Sequence, residues 1–142
     1  MSVKVYDPDQ ISVIFAGVPA EGFADGEMVT IEHTTPRFSS VVGTTGEVVR
    51  SKSKDKRATI TVKLMQTSNT NDLYSAIAVA DDKAPNGAGI APVMVRDRQG
   101  RALYAGKDAW IVGQPDASYD RTAKSREWKI EVEALDDFTG GA

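Results

Sequence analysis

Two stretches of this sequence alternate with a strict period of two, and that constrains its fold more than anything else in it. From Ala58 to Leu64, the residues Ile60, Val62 and Leu64 oppose Thr59, Thr61 and Lys63. From Glu127 to Glu133, Trp128, Ile130 and Val132 oppose Lys129, Glu131 and Glu133. Successive side chains of a strand point to opposite faces, so this pattern makes strands buried on one face and wet on the other, as in antiparallel sheets. Met28 to His33 repeats it, with Val29 and Ile31 against Thr30 and Glu32. Ile11–Phe15, Pro92–Arg96 and Ala109–Val112 read as further strands, and their apolar runs suggest burial on both faces. Gln99-Gly100 punctuates a hairpin between Val93–Arg96 and Arg101–Tyr104.

One helix interrupts the strands. Ser68, Asn69 and Asn71 suit its start, Asp72 its first turn, and Leu73, Ile77 and Ala80 fall on one face. At about ten residues it is too short to hold alone in water and must dock on a sheet. Asp81 to Ile90 then reads as a loop turning at Pro85-Asn86-Gly87.

The chain has 142 residues, enough for one domain with a proper core. It has no cysteine, which excludes a disulfide framework, a thiolate nucleophile and Cys-based metal sites. The net charge is -3, too acidic for a protein that wraps nucleic acid. No apolar run reaches the roughly 18 residues of a membrane span, and the polar segment from Met1 to Gln10 lacks the layout of a secretory signal.

Catalytic chemistry finds little support. The single histidine, His33, sits at a strand end with no pattern of partners around it. Asp81-Asp82 and Asp136-Asp137 read as solvated turns, and Asp7 and Asp9 lack the rest of a calcium loop. Gly43-Thr44-Thr45-Gly46 has neither the ending nor the setting of a phosphate loop. Trp110 and Trp128 lie in strand patterns and suit core or interface packing. The expectation is no enzyme, no metal and no cofactor.

The stretch 34–57 is long for a connection between two strands, and such loops are usually functional or disordered. Phe38, Val41, Val42, Val48 and Val49 give it weak β character, and it reads as a long hairpin arm. Its end carries five bases, Arg50, Lys52, Lys54, Lys56 and Arg57, with one acid, Asp55. Residues 127–137 are its opposite, with Glu127, Glu131, Glu133, Asp136 and Asp137 against one lysine. A chain with two such blocks can be self-complementary and associate head to tail.

The run Gly46-Glu47-Val48-Val49-Arg50, the basic hairpin end, the strand Ala58–Leu64, then Met65-Gln66-Thr67-Ser68 and a helix opening with Asn71-Asp72-Leu73 resemble the tube-forming proteins of contractile bacteriophage tails. The strand–long loop–strand–helix–strands order extends the likeness over roughly Gln10 to Phe138. The resemblance implies a mainly β subunit, an antiparallel β-sandwich or β-barrel with one short flanking α-helix and a long hairpin arm. It implies one domain over 1–142, with 34–57 as the arm and 1–9 and 134–142 as terminal tails. Such subunits form hexameric rings that stack into a tube, the long loop reaching the neighbouring ring and double-stranded DNA passing through the lumen without specific binding. Sheath, baseplate and tail-terminator proteins are the implied partners. The implied location is the virion tail, assembled in the bacterial host cytoplasm, with no membrane insertion. Inner tubes of type VI secretion and phage-like contractile devices share the fold and stay open as homes, as does a monomeric β-sandwich module binding sugar or protein through Trp110 or Tyr104. Under the tube reading, Phe38, Val41, Val42, Val48, Val49, Arg50, Lys52, Lys54, Lys56 and Arg57 form the contact arm. Thr59, Thr61, Lys63, Glu131 and Glu133 are the candidate lumen-facing residues, on a wall expected to be acidic.

Overall fold

Alternation in the sequence becomes alternation in burial. The computed structural model describes residues 3–141, so Met1, Ser2 and Ala142 of the expected tails lie outside the described residues. Along strand β6 (Ala58–Met65), Ala58, Ile60, Val62 and Leu64 are fully buried while Thr59, Thr61 and Lys63 between them are half exposed. Strand β9 (Ser125–Val132) does the same with Trp128, Ile130 and Val132. The other elements, in chain order, are β1 (Ile11–Phe15), β2 (Val18–Pro19), β3 (Val29–His33), β4 (Phe38–Val42), β5 (Val48–Lys52), α1 (Thr70–Lys83), β7 (Ala91–Asp97), β8 (Leu103–Gly113) and β10 (Asp136–Phe138).

Eight strands form one antiparallel sheet in the order β2-β1-β7-β8-β9-β6-β3, with β10 paired to β8. The sheet wraps around a single core. Tyr74 of α1 stands edge-on to Phe15 of β1 at 5.9 Å and to Trp128 of β9 at 5.6 Å, joining strands that are three places apart. At one mouth, Val29 and Ile31 of β3 share a cleft with Ile11, Val95 and Tyr104 of β1, β7 and β8. The fold is mainly β, with one helix, and is consistent with a β-sandwich. Strands β4 and β5 pair only with each other and stand outside this sheet.

Several expectations are corrected. Strands β1, β7 and β8 are not buried on both faces: Pro92 and Arg96 are exposed, Ile14 and Met94 half exposed, and Val112 exposed. Leu103-Tyr104 of the expected strand Arg101–Tyr104 and the whole of Ala109–Val112 are parts of one eleven-residue strand, β8, which Arg101 and Ala102 precede. It continues through Gly106, where a Cβ would collide with Val132 Cγ1 and lie 3.3 Å from the Ala134 carbonyl. The helix has 14 residues and runs on to Lys83, into the expected loop. Its buried face is Thr70, Tyr74 and Ala78, with Ile77 half buried beside them, so Leu73 and Ala80 point to solvent instead of inward. Tyrosine's long side chain reaches the core one position around from leucine, and that fixes the helix rotation. Asn69, the N-cap, makes no side-chain cap bond. Ser68 Oγ accepts from the Thr70 amide instead, and Asn71 Nδ2 donates to the carbonyls of Met65 and Ser68. Residues 134–142, expected as a tail, contribute β10.

Candidate assembly surface

The arm is a hairpin whose two strands, among the described residues, pair only with each other. Phe38 pairs with Lys52, Ser40 with Arg50 and Val42 with Val48. Gly43 and Gly46 close the turn: the Gly46 amide donates to the Gly43 carbonyl, and Gly46 has φ 86, a left-handed value that glycine adopts without strain. Every residue of both strands is exposed, and Val41, Val42, Val48 and Val49 are each 56–66% exposed. Arg50 lies over the Phe38 ring at 4.1 Å, a cation–π contact across the hairpin. An isolated two-stranded hairpin is marginal in water, and this one leaves four valines exposed.

The arm's base, by contrast, is clasped. Asp55 accepts from Thr35 Oγ1 at 2.7 Å and from both Arg57 Nε and Nη2, at 2.9 and 3.0 Å. The Arg57 guanidinium, then the Thr35 hydroxyl, hold the Asp55 carboxyl well below the usual carboxylate range, and Asp55 in turn raises Arg57. Asp137 of β10 accepts from Arg37 at 2.8 Å and meets His33 Nε2 at 2.9 Å. Backbone bonds complete the clasp, from the Thr34 amide to the Arg57 carbonyl and from the Leu135 amide to the Lys56 carbonyl. These groups line an open cleft of about 420 Å³. Asp137 is therefore not a solvated turn residue: its side chain is 13% exposed and held by Arg37 and His33. The sequence hid this clasp, since His33 and Asp137 are 104 positions apart. Asp55 did carry a signal, as the lone acid in a basic run.

The candidate lumen residues share one outward face. Cross-strand rows run Glu32–Thr59–Glu131–Trp110 and Thr30–Thr61–Lys129 over β3, β6, β9 and β8, and Lys63 stands opposite Glu127. Thr59, Thr61, Lys63 and Glu131 are half exposed, and Glu133 is exposed one residue beyond β9. The face is not uniformly acidic. Lys63 approaches Glu27 at 3.6 Å, and Arg57 reaches Glu131 at 3.8 Å. Part of the acidic block 127–137 is thus neutralised within the chain by Arg37 and Arg57, the cations at the arm's root. Trp110 lies half buried on this same face, while Trp128 is in the core with its Nε1 donating to Asn71 Oδ1. Tyr104 is half buried, its hydroxyl bonded to Thr139.

Among the described residues no group of three or more His, Cys, Asp or Glu side chains could hold a metal, and no helix is long and apolar enough to cross a membrane. Residues 13–140 match the family model of the bacteriophage PhiTE tail tube protein. Structural protein ORF10 of Pseudomonas phage KPP10 is 26% identical over 135 residues, covering 91% of this chain and 78% of that protein. Among solved structures, the sheath/tube terminator of an extracellular contractile injection system, PVC, superposes with a TM-score of 0.65 at 10% identity, over 98% of this chain and 100% of that one. A chain of the PVC sheath-tube complex gives 0.64 at 9% identity, over 93% and 90%. The tube-terminating cap of the anti-feeding prophage gives 0.61 at 10% identity, over 98% and 95%. At these identities the three structures share the fold.

Proposed function

This chain belongs to the bacteriophage PhiTE tail tube protein family, and from that premise we propose that it assembles into stacked hexameric rings forming the inner tail tube through which DNA enters the host. Its family and its phage relative are structural phage proteins, not enzymes. It is thus a structural component of the virion tail, and assembly in the host cytoplasm is part of the proposal.

The exposed hairpin carries this reading. A two-stranded arm with four uncovered valines, tied firmly at its root, is built to be completed by another subunit. The sheet offers a second assembly feature. Its terminal strands β2 and β3 each pair on one side only among the described residues, and joining such edges around a ring removes their aggregation hazard. The wet face of β3, β6 and β9 then lines the lumen. Its acids alternate with Lys63 and Lys129, so the wall holds no basic stripe on which phosphates could lodge. Sheath, baseplate and terminator proteins are the partners that such a tube requires, and the solved relatives come from assemblies of tube, sheath and terminator.

Electron microscopy and sedimentation of concentrated protein test the reading. Rings that stack into tubes are expected. Single rings that never stack favour a terminator, and monomer at every concentration and salt overturns the proposal. Particles carrying Glu131→Lys with Glu133→Lys test the lumen. Normal tails that retain DNA support it, and unchanged delivery places these residues elsewhere.

A further inference from the structure

The arm's free cations have a counterpart at the far end of the subunit. Among the described residues Arg50, Lys52, Lys54 and Lys56 make no ion pair, while Asp55, Asp137 and Glu131 near the root are engaged by Arg37 and Arg57. The arm joins the main sheet at the first residues of β6. At the other end of β6 the loop 20–28 is stitched on by the Ala24 amide to the Lys63 carbonyl and the Met65 amide to the Gly22 carbonyl. That loop carries Glu21, Asp25 and Glu27 and no base, and all three acids are exposed. The eight residues of β6 separate the two charge blocks by about 23 Å along the strand, too far for one subunit's arm root to meet its own loop.

Beside the acidic loop runs an open groove of about 730 Å³, with Ile14, Pro19, Phe23, Met28 and Met94 among its lining residues. Arg96 and Arg98 stand in its lining too, Arg98 bonded to the Asp9 carbonyl. The groove supplies apolar cover and the loop supplies negative charge. The arm presents exposed valines and unpaired cations. We propose that loop 20–28 and this groove receive the arm of a second copy of the chain in the next ring, with Val41, Val42, Val48 and Val49 in the groove and Arg50 and Lys52 against Glu21 and Asp25. This rests on the tube reading and names the surface that the arm engages. Placing donor and acceptor at opposite ends makes the contact head to tail, the kind that propagates without closing.

Charge reversal tests it. Glu21→Lys with Asp25→Lys, and separately Arg50→Glu with Lys52→Glu, should each lower the pelletable tube fraction about tenfold at low salt while rings and melting temperature persist. Combining all four changes should restore tubes. If the lysine pair perturbs folding, Glu21→Gln with Asp25→Asn should give a smaller loss of the same kind. Wild-type tubes with an unaffected loop variant overturn this acceptor and leave the tube reading intact. Loss of rings as well as tubes moves the contact within the ring and also overturns it. Failure of the wild-type chain to assemble at all removes the tube reading, and this inference with it.

Discussion

The main sheet and the arm are both antiparallel β structure, yet they are opposites. In β6 every second side chain is fully buried, and its two sheet neighbours, β3 and β9, fix its register. In β4 and β5 every residue is exposed, and each strand has only the other. Burial of apolar area at roughly 25 cal/mol per Å² stabilises the main sheet without help, whereas the arm buries little and rests on its clasped root. Under the proposed tube function, the difference separates what the subunit needs to fold from what it needs to assemble.

Removing the arm is the strongest way to test that separation. Replacing residues 38–52 by a short Gly-Ser turn keeps Thr35, Asp55, Arg57 and the Asp137 clasp in place. Thermal melting should stay within a few degrees of the parent chain, because loop shortening changes closure entropy only slightly. Tube formation in sedimentation should vanish. Normal tubes would take the arm out of assembly, and a collapsed melting temperature would make it part of the folding unit.

The main sheet's side of the comparison turns on Tyr74. It is fully buried between Phe15 and Trp128, and its hydroxyl has no hydrogen-bond partner among the described residues. Burial pushes its pKa up to about 12, so the phenol stays neutral at any pH the subunit meets. Tyr74→Ala should cost about 3–5 kcal/mol in denaturant unfolding, as for other large aromatic truncations. Tyr74→Phe removes an unsatisfied polar group and should be neutral or stabilising by up to about 1 kcal/mol. A large loss from the phenylalanine variant would reveal a partner for the hydroxyl.

Gly106 gives a smaller effect in the same core. A methyl there meets the stiff, fully buried Val132, which has little room to move. Gly106→Ala should cost about 1–3 kcal/mol by chemical denaturation, and pairing it with Val132→Ala should recover part of that. Simple additivity of the two changes would mean that the strands separate instead of clashing.

How far the sequence disclosed this architecture follows the same division. Period-two patterns identified β3, β6 and β9, because one-sided burial writes itself into alternation. The short apolar runs of β1, β7 and β8 misled, since Pro92 and Val112 are apolar but face outward. The helix was legible, its rotation was not: Tyr74 and Leu73 are adjacent, and only packing against Phe15 and Trp128 decides between them. The arm was visible as a long, basic, weakly β stretch. Its clasp was not, because Asp137, His33 and Arg37 meet only after the chain has folded. The charge blocks were visible as opposites, but part of the acidic one is engaged at the arm's own root, and two exposed acids without an ion pair among the described residues, Glu21 and Asp25, lie in loop 20–28.

The subtlest expected effect concerns pH at the junction of the two regions. Asp55 joins Thr35, on the chain leading into the arm, to Arg57, on the chain leading out. Its folded-state pKa is depressed below the ordinary value of 3.8, chiefly by the Arg57 guanidinium and then by Thr35. A depressed carboxyl stabilises the folded form fully above its unfolded pKa, and that contribution drains away as pH falls through the folded value. The Asp55 contacts should therefore be indifferent to pH across the neutral range and weaken only below about pH 4. Amide exchange at Arg57, whose N–H also donates to Asp55, should accelerate in acid ahead of exchange in β6 once intrinsic rates are allowed for. Asp55→Asn should raise Arg57 amide exchange at neutral pH and remove most of its acid dependence, leaving the subunit's melting temperature nearly unchanged. Equal acceleration in β6 and at Arg57 would show that root and main sheet open as one unit, and the division between folding and assembly would then have to be drawn further out along the arm.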